Sequence, residues 1–230
     1  MSATETIARL SRRQVAWRAA QDILDGWYVN LGIGLPTLAA NFVPADREVV
    51  FHSENGLLGV GPYPKPGEEN PDLINATKEF VTLLPGASVF KHSDSFTIIR
   101  GGHLDLAMLG AFEVSKDGDL ANWTTEDLRF PPGVGGAMDL AVGAKRIWIL
   151  MEHTTRKGES KIRNACGYPL TAAGVVTRIY TDLAVIDVTP DGLLVRDMAE
   201  GLTPDALQAL TEAPLSFAAD VKVLTAPAVE

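Results

Sequence analysis

The sequence has a single cysteine, Cys166, among its 230 residues. One thiol can form neither an intrachain disulfide nor a thiolate metal cluster, so the sequence favours a reducing compartment. The four histidines are widely separated and show no HExxH or HxxxH spacing, and we expect no metal site. No run approaches the ~18 apolar residues that a membrane-spanning helix needs. We therefore expect a soluble, cytoplasmic protein without a membrane partner.

Positive charge is scarce as well. Lys and Arg number 20 against 29 Asp and Glu, which gives a formal net charge of -9. The basic residues are scattered along the chain, so we expect no nucleic-acid partner. Apolar residues make up 46% and charged residues 21%. These values are typical of soluble globular proteins and exclude the disordered, fibrous and coiled-coil classes.

Local sequence patterns alternate between helices and strands. Ser11 precedes a stripe of apolar residues between Val15 and Leu24 that predicts an amphipathic helix, with Gly26 as its stop. Strands are predicted at 27–31, 48–53, 81–84, 104–109, 111–114, 146–151 and 184–188, and further helices at 37–43, 137–145 and 204–210. Hairpin turns at 116–119 and 189–192 add antiparallel pairs, which predicts an α/β domain with a mixed sheet. The tail from Leu215 onward gives no clear signal.

Glu54 stands where a strand pattern ends abruptly, in the run Glu54-Asn55-Gly56. Residues 59–71 are rich in Gly and Pro and predict an ordered surface loop beside it. Taken by themselves, these residues leave two interpretations open: a solvated glutamate in a turn, or a carboxylate placed for chemistry. A partial GxGxxG pattern at 32–37 lacks its last glycine and has proline where a helix should begin, so we expect no dinucleotide site.

Five segments, in order along the chain, bear on the choice between the two interpretations of Glu54. They are NLGIGLP at 30–36, SENGLLGVGP at 53–62, RGGH at 100–103, GDLANW at 118–123 and GGAMDL at 135–140. Together these motifs resemble the B (beta) subunits of family I CoA-transferases, and the resemblance extends from about Leu10 to about Leu215. It implies a single domain over residues 1–230, with an open, mixed and mostly parallel sheet flanked by helices.

The resemblance implies that Glu54 is the nucleophile of a ping-pong transfer. Its carboxylate would attack a thioester carbonyl, giving a mixed anhydride and a CoA thiolate, which then attacks to leave a glutamyl-CoA thioester. A second acid reverses these steps. Coenzyme A thioesters are then substrates, and no permanently bound cofactor is expected. Because a carboxylate is a weak nucleophile, such a site must supply orientation and remote binding energy.

The family pattern also gives roles to four other residues. Gly135 and Gly136 match the loop whose backbone N–H groups hold the oxyanion, although these glycines also suit a tight turn into a helix. Asn30 matches an asparagine beside the nucleophile, and its other interpretation is a turn residue before Gly32. Lys78 matches a lysine near the site, where a solvated lysine is the ordinary alternative.

Segments 152–162 and 178–185 resemble the members that transfer CoA to 3-oxoadipate. The resemblance implies succinyl-CoA as the donor, with acetoacetate as the alternative acceptor. A dicarboxylic acid needs a cation for its far carboxylate, and Arg100, Lys161 and Arg163 are candidates by charge alone. The resemblance further implies an A (alpha) subunit that shares the active site, in a heterotetramer.

Two other functions stay open for this sequence. Glu54 could act as a general base that directs water onto the thioester, which would make the protein a hydrolase. The chain could also be a binding module that keeps the fold without chemistry. Release of free CoA would identify the hydrolase, and full function after Glu54→Gln would identify the binding module.

Overall fold

The computed structural model describes residues 7–125, 129 and 133–229. These residues form the α-helices α1 (Arg12–Ala20), α2 (His92–Arg100), α3 (Ala137–Gly143) and α4 (Pro204–Ala209), and a 3-10 helix covers Pro36–Phe42. The strands are β1 (Tyr28–Leu31), β2 (Val50–Ser53), β3 (Leu57–Val60), β4 (Leu83–Val89), β5 (Leu106–Leu109), β6 (Glu113–Ser115), β7 (Leu120–Ala121), β8 (Ile147–Leu150), β9 (Ile162–Arg163), β10 (Val176–Tyr180), β11 (Ala184–Thr189), β12 (Gly192–Ala199) and β13 (Leu215–Leu224). No helix in the described part of the chain is long and apolar enough to cross a bilayer.

Ten strands form one sheet, in the order β13-β12-β11-β10-β8-β5-β1-β2-β3-β4. Its middle, from β10 to β2, is parallel throughout. Antiparallel pairs lie on both sides of this parallel block. The predicted mixed, mostly parallel sheet is therefore confirmed. Strands β7, β6 and β9 form a smaller second sheet.

The central strands are buried on both faces. Successive side chains point to opposite sides of a strand, so one strand contributes to the hydrophobic clusters on both faces of the sheet. In β5, Leu106 and Met108 belong to the hydrophobic cluster that includes α1, whereas Ala107 and Leu109 belong to a second cluster. Buried residues of α2, α3 and α4 join this second cluster. The sheet is thus flanked by helices, as predicted.

Helix α1 begins where the sequence predicts and ends earlier. The Ser11 hydroxyl accepts a hydrogen bond from the Gln14 N–H at 3.3 Å, and the Gln14 side chain accepts one from the Ser11 N–H at 2.9 Å. This reciprocal pair is a capping box. The helix ends at Ala20, because the residues that follow form tighter turns, and Gly26 lies in the last of these turns before β1.

The sequence patterns miss α2, β3, β9, β10 and β13. Because β3 extends to Val60, the first two residues of the predicted surface loop at 59–71 belong to a strand. Strand β4 runs from Leu83 to Val89, beyond the predicted 81–84. The tail without a clear signal forms β13, which pairs in parallel with β12. Of the missed elements, β13 forms one edge of the large sheet, β3 lies next to β4 at the other edge, and α2 packs on one face of the sheet.

Candidate active site

A cleft of about 540 Å³ lies at the carboxyl ends of four neighbouring parallel strands. Its lining includes Gly32 after β1, Glu54 after β2, Gly110 after β5 and Glu152 just beyond β8. In open α/β sheets, ligands bind at this edge, outside the carboxyl ends of the strands. Among the described residues, no group of His, Cys, Asp or Glu side chains could hold a metal ion. The cleft is the candidate active site.

Glu54 occupies the hairpin between β2 and β3. Ser53 pairs with Leu57 across the hairpin, and the Gly56 N–H donates to the Ser53 carbonyl at 3.0 Å. Gly56 has a φ of 121°, a backbone conformation that residues with a side chain rarely adopt. The Ser53 hydroxyl also accepts a hydrogen bond from the Ala76 N–H at 2.9 Å. These contacts hold the backbone of Glu54 in place, while its side chain is half-buried.

Asn30 holds the Glu54 carboxylate from the neighbouring strand. It is fully buried in β1 and lies opposite His52 in the parallel register of β1 and β2. Its amide nitrogen Nδ2 lies 3.2 Å from Oε2 of Glu54. The same nitrogen lies 3.1 Å from Nδ1 of His52 and 3.2 Å from the His52 carbonyl oxygen. The structure thus places Asn30 beside Glu54, as the resemblance implies.

His52 extends this network away from the cleft. Its Nε2 lies 2.9 Å from the Ser95 hydroxyl oxygen on α2. Burial lowers the pKa of His52 to about 4, so the ring is neutral near pH 7. Since Nδ1 accepts the amide proton of Asn30, Nε2 carries the ring proton and donates to Ser95. Sequence reasoning missed His52 and Ser95, because their contact depends on how α2 packs against β2.

The glycine turn before α3 lies next to Glu54. A Cβ atom built on Gly136 would lie 3.8 Å from Cγ of Glu54. Within the described chain, the backbone N–H groups of Gly135 and Gly136 donate to no acceptor. Two free donors beside a carboxylate can stabilise the oxyanion of a tetrahedral intermediate. The structure therefore brings together Glu54, Asn30, Gly135 and Gly136.

The remaining predicted residues divide into those outside the cleft and one within it. Lys78 is exposed, in a turn shortly after Ala76, and it is not among the described residues that line the cleft. Arg100 forms an ion pair with a carboxylate of α3 at 2.6 Å, and Arg163 forms one with Glu212 at 3.0 Å. Neither arginine is among the described lining residues. Lys161 lines the cleft together with Glu54.

Two buried histidines are expected to make the stability of the fold sensitive to acid. Burial lowers the pKa of His52 and of His153 to about 4, against 6.5 for an ordinary histidine. Between these pH values the unfolded chain binds more protons than the folded chain, so stability falls as the pH falls. Each histidine should remove about 2 kcal/mol of unfolding free energy between pH 7 and pH 5.

Urea unfolding at pH 7 and pH 5 measures this loss. In the wild type, the ring nitrogens of His153 lie 3.0 Å from the Thr181 hydroxyl oxygen and 2.8 Å from that of Thr211. A His153→Gln variant removes the titrating ring, whatever the substitution costs at a fixed pH. Its stability should therefore fall by about 2 kcal/mol less than that of the wild type between the two pH values. An equal fall in both proteins would contradict the prediction.

Comparison with known proteins gives the family. The family described as Coenzyme A transferase matches residues 12–209. The B subunit of the 3-oxoadipate CoA-transferase of Pseudomonas putida is 58% identical over 207 residues, which cover 90% of this chain and 97% of that protein. The B subunit of a probable succinyl-CoA:3-ketoacid coenzyme A transferase of Bacillus subtilis is 50% identical over 211 residues, which cover 92% of this chain and 97% of that protein.

A solved structure agrees with this result at the level of the fold. The apoenzyme of an acyl-CoA transferase from Escherichia coli O157:H7 superimposes with a TM-score of 0.72 at 18% sequence identity. The match covers 93% of this chain and 43% of that longer chain. With the family match over most of the sequence and relatives at 50% identity or more, the chain belongs to the coenzyme A transferase family.

Proposed function

We propose that this chain is the B subunit of a CoA-transferase that moves CoA from succinyl-CoA to 3-oxoadipate through a glutamyl-CoA thioester on Glu54. The observation that carries the proposal is the 3.2 Å contact between Asn30 Nδ2 and Glu54 Oε2, in a cleft that also contains the glycine turn. The names of the relatives, which specify 3-oxoadipate in one case and succinyl-CoA with a 3-ketoacid in the other, support the choice of substrates.

The first half-reaction begins when a carboxylate oxygen of Glu54 attacks the carbonyl carbon of the donor thioester. The C–S bond breaks, which gives CoA thiolate and a mixed anhydride between Glu54 and the donor acyl group. The thiolate then attacks the glutamyl carbonyl of the anhydride. The donor acid leaves as a carboxylate, and the glutamyl-CoA thioester remains. No net proton transfer is needed, because each nucleophile and each leaving group is an anion.

Asn30 leaves one oxygen of Glu54 free for this attack. Within the described chain, the Glu54 carboxylate accepts a hydrogen bond from Asn30 alone, through Oε2. A fixed amide restricts the rotation of the glutamate, which lowers the entropy cost of reaching the attacking geometry. Gly135 and Gly136, whose N–H groups donate to no acceptor in the described chain, line the same cleft. Loss of one oxyanion donor typically costs about 3 kcal/mol of transition-state stabilisation.

The partner in this proposal is an A subunit that shares the active site, in a heterotetramer. Its support is that both relatives are named as the B subunits of their enzymes, and this chain matches each over nearly its whole length. The cleft opens at the carboxyl ends of the central strands, where a second subunit can cover it without disturbing the buried core. The second half-reaction then runs the same steps in reverse with the acceptor acid.

Trapping with borohydride tests the proposal. The complex of this chain with its A subunit is incubated with succinyl-CoA in the absence of an acceptor, and borohydride then reduces any glutamyl thioester to an alcohol. We expect mass spectrometry to find the reduced side chain at Glu54, and to find none in a sample without succinyl-CoA. A complex that transfers CoA while Glu54 stays unmodified would contradict the mechanism. Free CoA in place of a new acyl-CoA would indicate a hydrolase.

A further inference from the structure

We infer that Lys161 binds the far carboxylate of a dicarboxylic acid in the cleft and sets the preference of the site for such acids. This inference rests on the proposed function, because it concerns the acids that exchange CoA at Glu54. Three cations are candidates by charge, and they differ in place and in pairing. Arg100 and Arg163 are held in ion pairs and lie outside the described lining of the cleft, whereas Lys161 lines it.

The Lys161 ammonium has no ion-pair partner of its own. Within the described chain, no carboxylate oxygen lies within 4.0 Å of it. The two nearby carboxylates are engaged elsewhere: Glu152 pairs with Arg12 at 3.3 Å, and Asp182 pairs with Arg9 at 2.6 Å. Burial lowers the pKa of Lys161, while the charges of Glu152 and Asp182 oppose this shift.

A half-buried cation without a partner is costly, and an incoming anion relieves that cost. A substrate carboxylate would form a charge-assisted hydrogen bond with the ammonium, which is stronger than a neutral one. Arg12 also lines the cleft but is less suited to this role. Its side chain is 61% exposed and already paired with Glu152, so a further anion would gain little from it.

The position of Lys161 suits an acid that spans the cleft. Its backbone N–H donates to the carbonyl of His153 at 3.2 Å, which places it beside the segment that follows β8. Glu54 follows β2, three strand spacings away in the order β8-β5-β1-β2. Strands lie about 4.8 Å apart, so this width is roughly 14 Å. Both residues line the cleft, so an acid with one carboxylate at Glu54 would extend its other end toward Lys161.

One cation can serve both halves of a ping-pong reaction. The donor acid leaves before the acceptor acid binds, so the two acids occupy the same subsite in turn. Succinyl and 3-oxoadipyl groups differ in length, but each has a second carboxylate at its far end. The flexible four-carbon stem of lysine can follow this difference in length. Acetoacetate has no second carboxylate and gains nothing from this contact.

The test compares 3-oxoadipate with 3-oxohexanoate, which has the same chain length and the same 3-oxo group but lacks the far carboxylate. In a ping-pong reaction, kcat/KM for the acceptor does not depend on the donor half-reaction. For the complex with the A subunit, Lys161→Met should lower kcat/KM for 3-oxoadipate roughly 10- to 100-fold. The value for 3-oxohexanoate should fall less than about threefold. Lys161→Arg should keep part of the preference, since it keeps the charge.

Lys145→Met is the matched control. Lys145 pairs with Asp105 at 2.8 Å and lines a different depression, so this variant should leave the ratio of the two kcat/KM values unchanged. Dissociation constants of adipate and hexanoate, measured by calorimetry, make the same comparison without turnover. Failure of the glutamyl-thioester mechanism therefore cannot hide the result. If Lys161→Met weakens the binding of both acids equally, or of neither, the assignment is overturned.

Discussion

Glu54→Gln is expected to lower kcat for CoA transfer by roughly 10⁴-fold or more, because an amide cannot attack a thioester carbonyl to form the anhydride. The fold should survive this change. Gln has nearly the shape of Glu, its side-chain oxygen can still accept the amide hydrogen of Asn30, and position 54 is half-buried. Steady-state transfer assays on the complex, with melting temperatures measured in parallel, separate lost chemistry from lost folding.

Glu152→Gln is the matched control for this variant. Glu152 lines the same cleft, but its side chain is 51% exposed and its carboxylate is paired with Arg12. Its removal should change kcat by less than about tenfold, since exposed ion pairs contribute little. If the Glu54→Gln complex kept a tenth of the wild-type kcat, the glutamate could not be the group that carries CoA. A binding module without chemistry would show that result.

Elements with strong local signals could be predicted from the sequence. Helix α1 has a capping residue, a partner three positions later and an apolar stripe, and all three lie within a few turns of one another. Strands β5 and β8 are short apolar runs that are buried on both faces, and such runs stand out in any sequence. For these segments, tertiary packing agrees with local preference.

Elements that depend on distant contacts could not be predicted. Lys91, the N-cap residue of helix α2, forms no side-chain cap, and the Ser and Thr residues of the helix favour helical structure only weakly. Its stability comes from packing, including the buried residues Ser95 and Ile99. Strand β13 is half-exposed at the edge of the sheet, so its pattern lacks a clear buried face. Pairing with β12 stabilises β13 as a strand, although the sequence pattern of β13 does not indicate one.

The residues of the candidate site also divide into those that could be predicted from the sequence and those that could not. Glu54, Asn30 and the glycine turn come from motifs, although 24 residues separate Asn30 from Glu54 and only the parallel pairing of β1 with β2 explains their contact. The role of His52 could not be predicted, because a histidine inside a strand gives no sign of what lies behind it. The choice of Lys161 among three cations likewise required the ion pairs of the other two.

Gly56→Ala is expected to destabilise the fold by about 3 to 5 kcal/mol and to displace Glu54. A Cβ atom at this position would lie 2.2 Å from the carbonyl oxygen of Phe90, whose own N–H donates to the Gly56 carbonyl at 3.0 Å. The backbone there cannot yield without breaking that hydrogen bond, and the φ of 121° adds strain for any side chain. The melting temperature should fall by roughly 10 °C.

Gly67→Ala separates strain from collision. Gly67 has a φ of 90°, but a Cβ atom there would meet nothing within 4 Å, so only the conformational cost of about 1 to 2 kcal/mol applies. Its melting temperature should fall by a few degrees, with kcat unchanged. Gly56→Ala should lower kcat of the folded complex about 100-fold as well, because a shift of about 1 Å in a reacting group has that effect. Equal losses of stability and activity in the two variants would show that the hairpin does not position Glu54 through its contact with Phe90.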